Sequence, residues 1–435
     1  MWPEFLVGGT KCLKFGSCQF RILGDPSPEA WNKAHRYASW MRYVDVDDWP
    51  VDAEDTYHKL RLNSPTGGWF PALQTLYWMV TETNLPHAAM FFSPHLERVS
   101  MCMSWSEGYD EVPLHVLPAI ASAISALPTS ALRSMYVGVG DDGAPLTYFE
   151  DSLSSVVLRC GPSLTEIHSP IRLSDAAMNH LIQLPHLRTL RVEGPPPSYS
   201  ASSLPLVFPP LVDFKLCEGA AYGWLSLFKR LEHGGSVTQG MTPLSGMKGS
   251  LKQLGVKNRP GLIIDASFAS PIQMFRNLAT LNVDVYCIGQ DSEGQCTFKL
   301  NDDNVTELAM ALPQLESLLL GHPCSNNTCA TTVACLLPIS VHCIKLQSLQ
   351  IHFNTTNIVD DIKNISGDPR FQDLHSLQRC SLPRLDVMKI PLTLDAPGIE
   401  IVRSGMVDIF PSVGYFTWCG GIWSWGALND ELRRV

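Results

Sequence analysis

One short pattern recurs along this chain and limits its fold more than any other feature. An aliphatic residue is followed three and five positions later by two further apolar residues, often with a proline two positions ahead. It reads Pro71-Ala72-Leu73-Gln74-Thr75-Leu76-Tyr77-Trp78 and returns at Pro94–Met101, Pro185–Val192 and Pro313–Leu320. Further copies start at Pro162 (with Ser169 in the last apolar slot), Pro209, Pro383 and Pro411. Without the proline the same spacing opens at Leu132, Leu251, Leu278 and Leu346, and more weakly at Met41. A β-strand has a two-residue period, so the last two apolar positions share one face and the residues between them take the other.

L-x-x-L-x-L is the strand signature of a leucine-rich repeat. Successive starts lie 23 to 40 residues apart, which makes the repeat degenerate. The intervening segments read as helices. Asp175–Leu184 and Asp303–Leu312 align when Pro185 is set on Pro313, with Ser174 and Asp302 as candidate N-caps and acids in the first turn to suit the helix dipole. Proline then ends the helix and turns the chain into the next strand. Strand, loop, helix and turn stack as parallel strands on one side and helices on the other. The fold class is therefore α/β, a leucine-rich-repeat-like solenoid with strands on the concave face and helices on the convex face.

At 435 residues the chain has room for two or three ordinary domains. The repeats favour one array over 31–435 after an irregular segment, 1–30. Trp31, Ala34, Ala38 and Met41 recur at helical spacing and predict a helical N-terminal cap. Trp418, Trp423 and Trp425 predict an aromatic C-terminal cap. The segments 194–203, 233–250, 291–294 and 323–332 read as loops inserted between strands.

Composition narrows the function classes. The chain is 45% hydrophobic and carries a net charge of −10, a poor match to a nucleic-acid backbone or an anionic lipid surface. The longest apolar-leaning stretch, 112–132, holds three prolines and His115 and does not read as a membrane span. Thirteen cysteines scattered from Cys12 to Cys419, behind a start without the features of a signal peptide, predict reduced thiols in the cytoplasm or nucleus.

The chemistry-bearing motifs are weak. Gly138-Val-Gly-Asp-Asp-Gly143 matches G-x-G-x-x-G, but two carboxylates inside it would repel phosphate and Ala144-Pro145 follows, so a turn is expected. His322, Cys324, Cys329, Cys335, His342 and Cys343 crowd together without the paired short spacings of structural zinc. No catalytic, cofactor or metal residues are assigned, and no cofactor is expected. The alternatives are a hydrolase assembled from loops such as 138–143 or 322–342, or a regulatory repeat protein.

Repeat geometry designates the positions able to bind a partner, namely those flanking the inward apolar pair. They are Tyr77, Arg98, Tyr136, Glu166, His168, Arg191, Glu193, Asp213, Lys215, Lys257, Asn282, Asp284, Gln350 and His352. Tyrosine and arginine anchors among both charge signs suit recognition of another protein. A non-enzymatic protein-interaction module with an unknown protein target follows, with no nucleic-acid and no membrane partner.

The repeat style resembles that of fungal F-box-associated proteins with degenerate leucine-rich repeats. The residues carrying the resemblance are the segment 29–46, Gly161-Pro-Ser-Leu164, Leu184-Pro-His-Leu-Arg-Thr-Leu190, Phe208-Pro-Pro-Leu211 and Leu312-Pro-Gln-Leu-Glu-Ser-Leu318. The resemblance implies the substrate-recognition part of a cullin-type ubiquitin ligase receptor. A cullin-linked adaptor is implied only with an F-box upstream, because Trp2-Pro3-Glu4-Phe5-Leu6 is all that is similar to one here and Gly8-Gly9 interrupts it.

Overall fold

The structure, a computed structural model, describes residues 26–46, 53–65, 68–82, 84–103, 114–139, 146–193, 209–217, 245–258, 264–285, 298–321, 329–367, 380, 382, 384–387, 396–411, 415–418 and 421–424. The chain divides into two compact units, Met1–Leu204 and Pro205–Val435.

In the first unit six parallel strands pair in chain order: β1 (Tyr43–Val46), β2 (Thr75–Val80), β3 (Arg98–Met103), β4 (Ser134–Val139), β5 (Glu166–Arg172) and β6 (Thr189–Glu193). In the second, β7 (Asp213–Cys217), β8 (Gln253–Asn258), β9 (Thr280–Val285), β10 (Ser317–Leu320), β11 (Ser348–Ile351), β12 (Arg384–Val387) and β13 (Tyr415–Trp418) do the same. An antiparallel β14 (Gly421–Ser424) follows on β13. Helices pack side by side behind the strands: Leu117–Ser125, Glu150–Arg159 and Asp175–Leu181 in the first unit, and Ala266–Ile272, Asp302–Ala311 and Leu336–His342 in the second. This is the expected α/β leucine-rich-repeat-like architecture. Strands stack about 4.8 Å apart and helices about 8–10 Å apart, so within each unit the strand side is the shorter, concave one.

The register follows the apolar pattern. Leu73, Leu96, Leu132, Leu164 and Leu187 are fully buried at the repeat starts, and Leu76, Val99, Met135, Ile167 and Leu190 line up as strand partners behind them. Each such leucine contributes about 1.5–3 kcal/mol by leaving water. A backbone staircase locks the register. The carbonyl of Arg42 accepts both Gln74 N–H and Thr75 N–H, that of Gln74 accepts from Glu97 and Arg98, and that of Glu97 accepts from Arg133 and Ser134. The series runs on through Arg133 and Thr165 to Arg188 and Thr189, and repeats in the second unit from Val212 through Lys252, Ala279 and Glu316.

Two local readings change, and a third position is explained. The Pro383 copy is out of register, since Leu385 pairs with Leu349, the second apolar slot, and buried Leu382 takes the first. The N-cap of Asp302–Ala311 is Asn301, in a capping box with Asn304. Asp302 instead reaches the next repeat, accepting from Thr332 N–H and Oγ1–H, both at 2.7 Å. Ser169 is fully buried in its apolar slot; its hydroxyl accepts from Ile171 N–H at 3.1 Å, and the β5–β6 register shifts directly after it. Pro170 has no N–H to give the ladder, which explains a bulge at this point.

The first helix, Pro28–Ala38, is capped by Ser27 and buries Trp31, Ala34 and Ala38. Trp31 and His35 pack on Trp69 at ring separations of 5.6 and 4.3 Å. Met41 lies past the helix end, at the start of the β1 repeat. Trp425 and the side chains of Trp418 and Trp423 lie outside the described residues.

Candidate partner-binding face

Alternation along each strand sends one set of side chains outward, and the parallel register assembles them into rows. In the first unit one row reads Tyr43, Thr75, Arg98, Ser134, Glu166 and Thr189. The next reads Asp45, Tyr77, Ser100, Tyr136, His168 and Arg191. Residues 23 to 36 positions apart in sequence thus become neighbours about 4.8 Å apart across the sheet.

The rows hold a line of aromatic groups. Tyr43 and Tyr77 are 53% and 43% exposed, with ring centroids 5.5 Å apart. The Tyr43 hydroxyl donates to Asp45 Oδ2 at 3.2 Å. Slight burial and the Asp45 carboxylate both raise the Tyr43 phenol pKa. Tyr136 meets His168 edge to face at 4.8 Å. Its phenol pKa is also raised, by burial first and then by nearby Cys102.

The Tyr136 ring is seated by a glycine. A Cβ added at Gly138 would stand 2.6 Å from the Tyr136 hydroxyl. Gly138 therefore lies within β4 as the bed of an aromatic side chain, not as the start of a turn, and 140–143 of that motif lie outside the described residues. The same device recurs in the second unit, where the Lys215 stem crosses Gly255 with Cγ 3.0 Å from an added Cβ.

Of the residues expected on this face in the first unit, Tyr77, Arg98 and Glu166 are exposed, and Tyr136, His168, Arg191 and Glu193 are partly so. Glu166 accepts from Ser134 Oγ–H at 3.0 Å. In the second unit Asn282 is exposed, and Asp213, Lys215, Asp284 and Gln350 are half-buried. Lys257 sits between Cys217 and Asp284 in the register. His352 is a correction. β11 ends at Ile351, and His352 is fully buried with its ring edge-on to Phe298 at 6.5 Å. Gly321, at φ +91°, has no Cβ to meet that of His352, 3.0 Å from where one would stand, so the chain turns inward one residue earlier than strict alternation implies.

Tyr43, Asp45 and Ser100 belong to the face but were not singled out from the sequence. The Met41 repeat start carried the signal for the first two, since it sends Val44 and Val46 inward and both are buried. In the second unit the two corresponding rows read Asp213, Gln253, Thr280, Ser317, Ser348, Arg384 and Tyr415, and Lys215, Gly255, Asn282, Leu319, Gln350, Asp386 and Thr417.

The Cys/His cluster is only partly described. Cys329, Cys335 and Cys343 are buried, and the Cys343 thiol lies 3.8 Å from the Ala309 carbonyl. Burial pushes the Cys335 thiol pKa well up, which disfavours the thiolate a metal needs. Among the described residues no group of three His, Cys, Asp or Glu side chains could hold a metal ion, and no helix is long and apolar enough to cross a membrane. His322 and Cys324 lie outside the described residues.

The class that these observations define is a leucine-rich-repeat-like α/β array. No protein-family profile and no curated protein sequence matches the chain. Among solved structures, a chain of the yeast Rad7–Elc1 complex is similar over 92% of this chain and 79% of its own, at 12% identity and a TM-score of 0.37.

Proposed function

We propose that this chain is a non-enzymatic protein-binding module whose target lies against the outer strand face of the first unit. The observation that carries the reading is the assembled row Tyr77, Ser100, Tyr136, His168 and Arg191, with exposed Tyr43 beside it. Tyrosine and arginine are among the side chains that most often anchor protein interfaces, tyrosine because it buries a large area at small entropic cost and arginine because its planar fork holds carboxylates and carbonyls. The repeat style supports a finer reading, the substrate-recognition part of a cullin-type ubiquitin ligase receptor, with the adaptor held by an F-box where one is present.

Affinity capture with the purified chain tests both levels. Charge reversal at Arg98 and Arg191, combined with Tyr77→Ala, is expected to remove a specific protein partner, whereas reversal at Lys215 in the second unit leaves it bound. Recovery of a cullin-linked adaptor with the full gene product supports the ligase reading. A partner set unchanged by the first-unit substitutions overturns the face assignment.

A further inference from the structure

The staircase that locks the first unit also sorts charge. Its six steps are Arg42, Gln74, Glu97, Arg133, Thr165 and Arg188, each joined to the next through a shared carbonyl. They lie at the rim where the strands begin, and Arg98 stands beside them at the first outward position of β3. All four of Arg42, Arg98, Arg133 and Arg188 are exposed. Of the interleaved acids, Glu97 pairs with Arg133 at 3.6 Å and Glu166 accepts from Ser134, while Arg42 donates to the Ala72 carbonyl at 3.0 Å. The second unit's staircase, Val212, Lys252, Ala279, Glu316 and Gln347, carries no such series. A chain of net charge −10 thus carries four exposed arginines along one edge, beside exposed Tyr43 and Tyr77.

Resting on the protein-binding reading above, we infer that the first unit's partner presents an acidic segment, rich in Asp or Glu, that runs across the strand starts from Arg42 to Arg188. Charge complementarity selects the occupant: guanidinium groups pair with carboxylates in fork geometry, and the adjoining tyrosines accept the apolar residues between them. Five strand intervals of about 4.8 Å give a span of about 24 Å, which an extended segment of about seven residues crosses. A nucleic-acid strand fits less well, because it carries a charge at every nucleotide and meets Asp45, Glu97 and Glu166 along the whole edge, whereas a peptide can set its apolar residues opposite those carboxylates.

The test is fluorescence anisotropy on the full chain with three labelled probes: a ten-residue peptide alternating Glu with Leu and Tyr, its Lys-for-Glu counterpart, and a 20-nucleotide single-stranded DNA. The acidic peptide is expected to bind at least about ten-fold more tightly than either other probe, with affinity falling as salt is raised. The triple variant Arg42→Ser, Arg98→Ser, Arg188→Ser is expected to lose about ten-fold or more, while Lys252→Ser in the second unit changes nothing. Equal binding of the two peptides, tighter binding of the DNA, or full retention in the triple variant overturns the inference. If Tyr77→Ala abolishes partner capture while the arginine variant leaves it intact, protein binding survives and the acidic-segment assignment alone fails.

Discussion

Replacing Gly138 by alanine is expected to disturb the binding face while leaving the fold standing. The added Cβ would lie 2.6, 2.7 and 2.8 Å from the Oη, Cε1 and Cζ atoms of Tyr136, all well inside contact distance, so the ring must leave its seat. Three terms set the cost. Alanine in a strand gains about 0.5–1 kcal/mol over glycine by restricting the unfolded chain. Forcing the tyrosine off its rotamer costs about 0.5–1.5 kcal/mol. Losing the edge-to-face pair with His168 costs about 0.5–1.5 kcal/mol more. The net is a destabilisation no larger than about 2–2.5 kcal/mol, at or below the low end of the range for truncating a core leucine. Denaturant titration measures that change. NMR titration of ¹³Cζ-labelled tyrosine reads the site itself: the Tyr136 phenol, held above its usual range by burial and Cys102, should fall back towards an exposed value. Partner capture should weaken in parallel. An unchanged Tyr136 titration with unchanged capture would mean that Gly138 does not seat the ring, and a loss of stability above about 3 kcal/mol would make Gly138 a core packing residue instead.

Other expectations follow from the same packing. Asn84 is buried and accepts from Trp78 Nε1–H and Thr81 N–H while donating to the Met79 carbonyl, at 3.0, 2.9 and 2.7 Å. Asn84→Ala should cost about 2–4 kcal/mol, since it strands the buried indole N–H, read as a lower urea midpoint of the first unit; a loss under about 1 kcal/mol contradicts that role. The buried thiols of Cys160, Cys343 and Cys380 are each pushed up to about 12, burial being the largest cause. A raised folded pKa favours the protonated form, so this stability is fully present below the unfolded thiol value of 9.0 and is lost as pH climbs from there towards about 12. Urea midpoints should therefore hold between about pH 7 and 8.5 and fall steeply above about pH 10; a midpoint independent of pH to about 11 would contradict it.

The strands were legible because their apolar spacing is local. Leu76 stands three positions after Leu73 and Trp78 two further on, and all three are buried as that spacing requires. Helix caps were legible only where one residue dominates. Ser174 caps its helix, accepting from Ala177 N–H at 3.3 Å. Asn301 and Asp302, however, are both cap-forming residue types, and long-range contact with Thr332 decided between them. His352 obeys the alternation of β11 but lies one residue beyond the strand's end, where the turn at Gly321 leaves room for it inside. The arginine rim was invisible for a different reason. Arg42, Arg98, Arg133 and Arg188 lie 35 to 56 residues apart along the chain, and only the register of irregular repeats brings them onto one edge.

Photo-crosslinking shows whether the first unit engages its partner through the strand face. Tyr77 and Leu158 are both surface positions, 43% and 47% exposed, the first on β2 and the second on the helix Glu150–Arg159. Each is replaced in turn by p-benzoylphenylalanine in the full chain and irradiated in cell extract. One discrete protein adduct is expected from the Tyr77 position, lost in the Arg98 and Arg191 charge-reversal background, and none from Leu158. A discrete adduct from Leu158 with none from Tyr77 would contradict that expectation.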